Sequence, residues 1–270
     1  MMFLRKALAF LKKDLLNEMS YKLAFIMQVF GIFLSVTMFY FLSLMFGKSS
    51  LPSLAQYGGN YFAFVLIGIA FSNYLDVSLS SMSRKIREGQ MMGTLEALLA
   101  TQTGLTTIIV SSSLYSFLFT SLQVFVYLII GVFMYQLDLS QANYLGGIIV
   151  LLLSILAFSG FGILSASFIM VFKRGNPVAK IFSGLSWLLG GIYYPVEILP
   201  QWLETCSLLL PITYSLQGMR LALLKGASLS ELLPNILSLL AFTLIMLPIS
   251  LFVFRYAVGR AKRDGSLTQY

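Results

Sequence analysis

Residues 60–101 read NYFAFVLIGIAFSNYLDVSLSSMSRKIREGQMMGTLEALLAT. From Asn60 to Met82 the stretch is apolar apart from Asp76. As a helix rising about 1.5 Å per residue it is long enough to cross a bilayer core of about 30 Å. From Arg84 to Thr101 the character reverses. In a chain that is only 10% charged, this short island holds Arg84, Lys85, Arg87, Glu88 and Glu96. Gly93-Thr94 is suited to end one turn and open another helix, with Thr94 as N-cap and Glu96 in the first turn, where the helix dipole favours a carboxylate. Leu95, Leu98 and Leu99 share one face of that helix. On the residues alone, the segment suits a surface helix resting its leucines on the membrane interface and a docking helix for a soluble protein equally well.

The rest of the chain repeats the first half of this pattern. Of its 270 residues 58% are hydrophobic, and the mean hydropathy is +0.87. Runs of about 20 apolar residues mark bilayer-spanning helices, and they recur at Leu23–Phe46, Gly104–Tyr135, Tyr144–Phe172, Pro177–Tyr194 and Leu232–Phe254. With 60–82 they make six expected spans in one all-α membrane domain, 1–270. The Gly104–Tyr135 run exceeds what a crossing needs, and Pro177–Tyr194 is near the minimum. In the fourth run Gly160, Gly162 and Ala166 offer small surfaces for close helix contact. Ahead of the first run, 1–22 is amphipathic: Phe3, Ala7, Phe10, Leu11 and Leu15 recur at helical spacing among Arg5, Lys6, Lys12, Lys13 and Asp14. This predicts a helix lying in the interface on membrane lipid. It is too charged to read as a cleavable leader.

Between 195 and 220 the pattern breaks. Pro195, Pro200 and Pro211 interrupt an apolar stretch, Leu203–Met219, which could be a seventh crossing or a re-entrant outer segment. Charge decides between them. With six spans and both termini cytoplasmic, fifteen of the eighteen Lys and Arg residues lie inside, and only Lys48, Arg220 and Lys225 lie outside. A seventh crossing would move Arg255, Arg260, Lys262 and Arg263 outside and spoil the asymmetry. The expected re-entrant segment then caps the protein's interior, since irregular backbone at membrane depth needs protein or water around it. Tyr193, Tyr194 and Trp202 beside it suit an interfacial aromatic belt or an outer gate, and the adjacent Pro195 and Pro200 favour the gate.

The same composition excludes several chemistries. There is no histidine and one cysteine, Cys206, so histidine catalysis, histidine metal ligation and an internal disulfide are ruled out. The net charge of +8 is explained by cytoplasmic loops, and no basic face interleaved with aromatics points to nucleic acid. Gly47-Lys48-Ser49-Ser50 resembles the end of a phosphate-binding loop, but Leu42 stands where that motif requires glycine. No ATP site of the chain's own is expected. Asp76 is costly within a span, roughly 2.5–3.5 kcal/mol at mid-membrane. It suits pairing, a wet vestibule, or direct handling of substrate or protons.

The run Arg87-Glu88-Gly89-Gln90-Met91-Met92-Gly93-Thr94-Leu95-Glu96-Ala97-Leu98-Leu99-Ala100-Thr101 resembles the coupling-helix signature of the permeases of ABC exporters of the ABC type 2 family. Gln102 departs from it, where proline is common. Gly190 to Leu203 (GGIYYPVEILPQWL) is similar to the family's outer Tyr-Pro-x-x-x-x-Pro-x-Trp region, continued by Leu210-Pro211-Ile212-Thr213-Tyr214 and Gly218-Met219-Arg220. The resemblance implies a half-transporter in a prokaryotic plasma (inner) membrane. Two copies of the permease would face each other and dock two separate ABC ATPase subunits, which carry ATP and Mg. No cofactor would be bound by this chain itself. A coupling helix over 84–101 would meet the ATPase through Arg87, Glu88, Gly93, Thr94, Leu95, Glu96, Leu98 and Leu99. The outer gate would comprise Tyr193, Tyr194, Pro195, Pro200 and Trp202. The cargo implied is amphipathic or lipid-linked: a drug, a lipid or a glycan. The competing class is an ATP-independent carrier or membrane-embedded enzyme, for which the sequence offers no inverted repeat and no converging catalytic groups.

Overall fold

The glycines of the fourth apolar run decide how the helices pack. In the computed structural model this run is a helix over Tyr144–Phe172, and two long helices lie against it more extensively than any other pair of elements. One is Tyr61–Met91 and the other Leu229–Arg263. A Cβ at Gly160 would stand 2.9 Å from the Cβ of Met246, and one at Gly162 would overlap the carbonyl oxygen of Ser78. Ala157 and Ala166 are fully buried between them. Backbones therefore approach at these positions, as small residues permit in lipid.

The structure describes residues 22–45, 52–93, 105–172 and 176–263; the expected interfacial helix at 1–22, apart from Lys22, and the coupling positions 94–101 lie outside them. Among the described residues the chain forms eight α-helices: α1 (Lys22–Met45), α2 (Tyr61–Met91), α3 (Leu105–Tyr135), α4 (Tyr144–Phe172), α5 (Pro177–Leu189), α6 (Gln201–Ser207), α7 (Pro211–Leu224) and α8 (Leu229–Arg263). Short 3-10 turns stand at Pro52–Tyr57 and Val196–Ile198. Five of the helices, α1, α2, α3, α4 and α8, are long and apolar enough to cross a membrane.

The boundaries follow local chemistry. Asn60 caps α2, its side chain accepting from the Ala63 amide at 3.3 Å. Asn143 accepts from the Gly146 amide at 2.9 Å at the start of α4 and donates to the Ala227 carbonyl at 2.8 Å. Asn176 caps α5 with Pro177 in the first turn, where proline's missing N–H costs nothing. The long run expected at 104–135 is one unbroken helix over its described part, Leu105–Tyr135.

Three expectations change. The second span does not stop at Met82. α2 continues through Arg84, Lys85, Arg87, Glu88 and even Gly89 to Met91, and the chain leaves the helix only at Gly93, whose φ is +65°. The first half of the expected coupling helix 84–101 is thus the end of α2. The fifth run is helical only to Leu189, 13 residues or about 20 Å, less than a bilayer core. It ends at Gly190 and Gly191, the latter with φ +73°. Finally, Arg220 is no loop cation. It is 2% exposed, inside the molecule. The break in Leu203–Met219 falls where proline predicted it: α6 ends at Ser207, Pro211 opens α7, and the Thr213 hydroxyl donates to the Ser207 carbonyl at 2.7 Å.

The contact of α4 with α2 yields a stability prediction. Gly162→Val forces the branched side chain into the Ser78 carbonyl and separates the helices. An overpacked contact costs about 1–3 kcal/mol. The purified chain in detergent should unfold at a clearly lower temperature than the parent, whereas Gly184→Ala, where a Cβ meets nothing within 4 Å, should not.

Candidate functional site along helix α2

Helix α2 contains 31 residues, about 46 Å, and joins the predicted outer gate to the charged island as one element. Its polar and charged groups find partners at three heights.

At the end nearest the predicted outer gate the partner is Arg220 of α7. Its guanidinium lies 3.4 Å from the centre of the Phe64 ring and 5.9 Å from that of Tyr57. Nε donates to the Phe64 carbonyl and Nη2 to the Ile192 carbonyl, each at 3.1 Å. A cation over an aromatic face gains about 2 kcal/mol or more when desolvated, and two carbonyl acceptors offset further desolvation. Gly68 leaves the room for this: a Cβ there would stand 2.6 Å from Nη2 of Arg220. Arg220 thereby ties the irregular chain after α5 to α2. Above it, the Glu197 carboxylate accepts from Gln56 at 2.8 Å. Burial, reinforced by Glu197, pushes the Tyr57 phenol up to about 12, so it stays protonated.

At mid-height stands Asp76. Ser183 donates to its Oδ1 at 2.6 Å and Trp187 Nε1 to its Oδ2 at 3.1 Å, both from α5. Both oxygens are thus engaged by neutral donors. Of the expected outer-gate residues, Tyr193 belongs to this neighbourhood, its ring 5.4 Å from Trp187 and 5.6 Å from Phe39 of α1. The Tyr194 hydroxyl donates to the Leu188 carbonyl. Pro195 is buried before the 3-10 turn, and Pro200 precedes α6. Trp202 stands apart, 68% exposed. The five gate residues are therefore not one cluster: Tyr193 faces Asp76, and Trp202 faces outward.

Toward the other end Asn176 joins three helices. Besides accepting from the Ala179 amide at 3.1 Å, it donates to Ser83 of α2 at 2.9 Å and to Ser165 of α4 at 2.6 Å. Ser165 in turn reaches the Leu79 carbonyl of α2 at 2.9 Å. Beyond this layer Lys85 and Glu88 pair at 3.7 Å, Arg87 is exposed, and Gly93 turns the chain out of the helix. Thr94, Leu95, Glu96, Leu98 and Leu99 lie outside the described residues. Among the described residues no three His, Cys, Asp or Glu side chains are grouped to hold a metal ion.

Sequence reasoning found Asp76 but not its partners, and it missed Arg220, Gly68 and Asn176 as site residues. A signal existed for one: an arginine inside the apolar helix 211–224. Ser183 and Trp187 had none, being ordinary in an apolar run.

The ABC-2 type transporter family matches the chain over residues 8–224, from before α1 to the end of α7. No match was found among curated proteins. With four-fifths of its length matched, this helical membrane chain belongs to the ABC-2 type transporter family.

Proposed function

We propose that this chain is the permease half of an ATP-driven exporter of an amphipathic or lipid-linked cargo, working as two facing copies on two separate ATPase subunits in a prokaryotic inner membrane. Members of the family generally work with an ATPase supplied by a partner. The observation that carries the reading is the continuity of α2: one unbroken helix runs from the Arg220 layer through Asp76 to the Lys85–Glu88 pair. A partner pressing on the charged end, and on the coupling segment up to Thr101, moves the whole helix. The ATPase then acts by favouring one arrangement of the bundle over the other, which requires contacts that differ between its ATP-bound and ATP-free states. Six crossings with both termini cytoplasmic put that end on the ATPase side, with α5 making the inner part of the fifth crossing and the broken segment 190–210 its outer part.

The roles divide by height. Arg87, Glu88, Gly93 and the positions from Thr94 to Leu99 receive the ATPase. Tyr193, Tyr194, Pro195 and Pro200 shape the outer segment, with Trp202 at its exposed rim. Asp76 holds α5 against α2, and its two neutral donors support a positioning role.

Two outcomes test this. Glu88→Lys removes a half-exposed pair worth at most about 1 kcal/mol, so the fold survives. The variant should still co-purify with its ATPase yet hydrolyse ATP without transport in reconstituted vesicles; normal transport would remove Glu88 from the coupling surface. For Asp76, an asparagine can accept from Trp187 and donate to Ser183 after the hydroxyl turns. Asp76→Asn should therefore keep transport within a few-fold, while Asp76→Leu, which orphans both donors at about 1–3 kcal/mol each, should abolish it. Loss of transport in Asp76→Asn would instead assign the charge itself to cargo or protons.

A further inference from the structure

A cavity of about 550 Å³ opens between α1, α2 and α3 on the face of α2 that carries Val77, Ser81, Arg84 and Lys85. Its size falls in the roughly 300–1,000 Å³ range of ligand cavities. Ser81 is 6% exposed, and its hydroxyl has no hydrogen-bond partner among the described residues. A buried hydroxyl without a partner is unusual enough to need an explanation, and this one lines the cavity.

Charge and shape then select the ligand. At the mouth, Lys85 pairs with Glu88 at 3.7 Å. Arg84 is exposed and has no ion pair among the described residues. Arg84 therefore brings a positive charge to a cavity also lined by the amides of Gln28 and Gln123. A planar arginine donor beside amide and hydroxyl donors matches a phosphate's several acceptor oxygens. The α3 wall is mixed: Ser116, Thr120 and Gln123 line the cavity beside the rings of Tyr115 and Phe119. Phe119 stacks on Tyr115 with centres 6.0 Å apart and meets Phe25 of α1 edge-on at 6.5 Å. Beside it Leu118, Leu122 and Phe125 are exposed on α3, a surface for hydrocarbon. A soluble anion would use only the polar lining, whereas a lipid would use the rings and the exposed face of α3 as well.

We propose that this cavity binds the phosphate headgroup of an anionic lipid, held by Arg84 and Ser81, with its acyl chains against the aromatic wall of α3. Arg84 lies seven residues before the end of α2 at Met91, about 10 Å of helix, the depth of a headgroup near the membrane surface. That the leaflet is the cytoplasmic one rests on the topology proposed above; the binding does not.

The test uses the purified full chain in detergent and native mass spectrometry. Dioleoyl phosphatidic acid, dioleoyl phosphatidylcholine and glycerol 3-phosphate are added separately at equal concentration. Phosphatidic acid should be retained about tenfold more than phosphatidylcholine, the scale expected of a charge-assisted hydrogen bond. Arg84→Gln and Ser81→Val should each bring it down toward the choline lipid. Lys225→Gln, an equal loss of charge at the end of α7, should leave it unchanged. Arg84 is exposed, so its variant tests binding without disturbing the core. Equal retention of the two lipids, or retention indifferent to Arg84→Gln, overturns the proposal. Glycerol 3-phosphate binding as well as phosphatidic acid overturns the lipid as its source.

Discussion

A charged side chain in a membrane protein has to find its partners within the protein, because hydrocarbon offers none. Two such groups, Asp76 and Arg220, fix how this molecule is put together. Ser78 and Ser80 of α2 need no help from other helices. They bond back to the carbonyls of Tyr74 and Asp76, each at 2.7 Å, as hydroxyls in membrane helices commonly do. A carboxylate or a guanidinium has no such local escape. Asp76 requires donors and takes them from Ser183 and Trp187, which sets the rotation of α5 about its own axis. Arg220 requires acceptors and takes the carbonyls of Phe64 and Ile192, which brings the irregular chain after α5 onto α2. Truncating either group leaves its partners facing a void, so each bond specifies position more than it adds net stability.

Directional bonds of this kind need short distances, and small residues provide them. Gly68 leaves space for the Arg220 guanidinium, and Gly162 lets α4 approach the Ser78 carbonyl. With no hydrophobic driving force between helices in lipid, close backbone contact and polar pairing have to supply the association. The glycines and the charges are therefore one constraint seen from two sides. An alanine at 68 would displace the arginine as surely as removing the carbonyls it binds.

Much of this could be read from the chain, for identifiable reasons. The apolar runs at 23–46, 104–135 and 144–172 became helices within a residue or so of those bounds, since a bilayer-length run has few alternatives. Pro177 and Pro211 opened helices because a fixed φ favours the first turn. The end of α2 was misplaced for a different reason. Hydropathy falls at Arg84, but helix propensity does not, and Ser83, Arg84 and Lys85 extend a helix as readily as they leave a membrane. The fifth run was overestimated because Gly190 and Gly191 are apolar by composition and helix-ending by conformation. The partners of Asp76 and Arg220 were out of reach, because pairings across 107 and 156 residues leave no periodicity in a single sequence. At the candidate site the island and the acidic residue were legible; the geometry joining them was not.

That geometry also constrains how the bundle can move. α5 is bonded to α2 at Asn176–Ser83 and again at Ser183–Asp76. The two bonds are seven residues apart on each helix, about 10 Å, so together they fix tilt as well as position. The Arg220 bond to Ile192 adds a third attachment beyond the end of α5. α2, α5 and the chain up to Ile192 are thus held as one body, and its two ends cannot move independently without opening a buried polar pair. α1 is held far less: among its residues only Ile32 and Val36 are buried, and a hydrogen bond of 2.6 Å joins Thr37 to Tyr135 of α3. A displacement of the charged end of α2 is therefore absorbed where contacts are fewest, along α1 and the faces it leaves uncovered, while the body built on Asp76 and Arg220 moves as a unit.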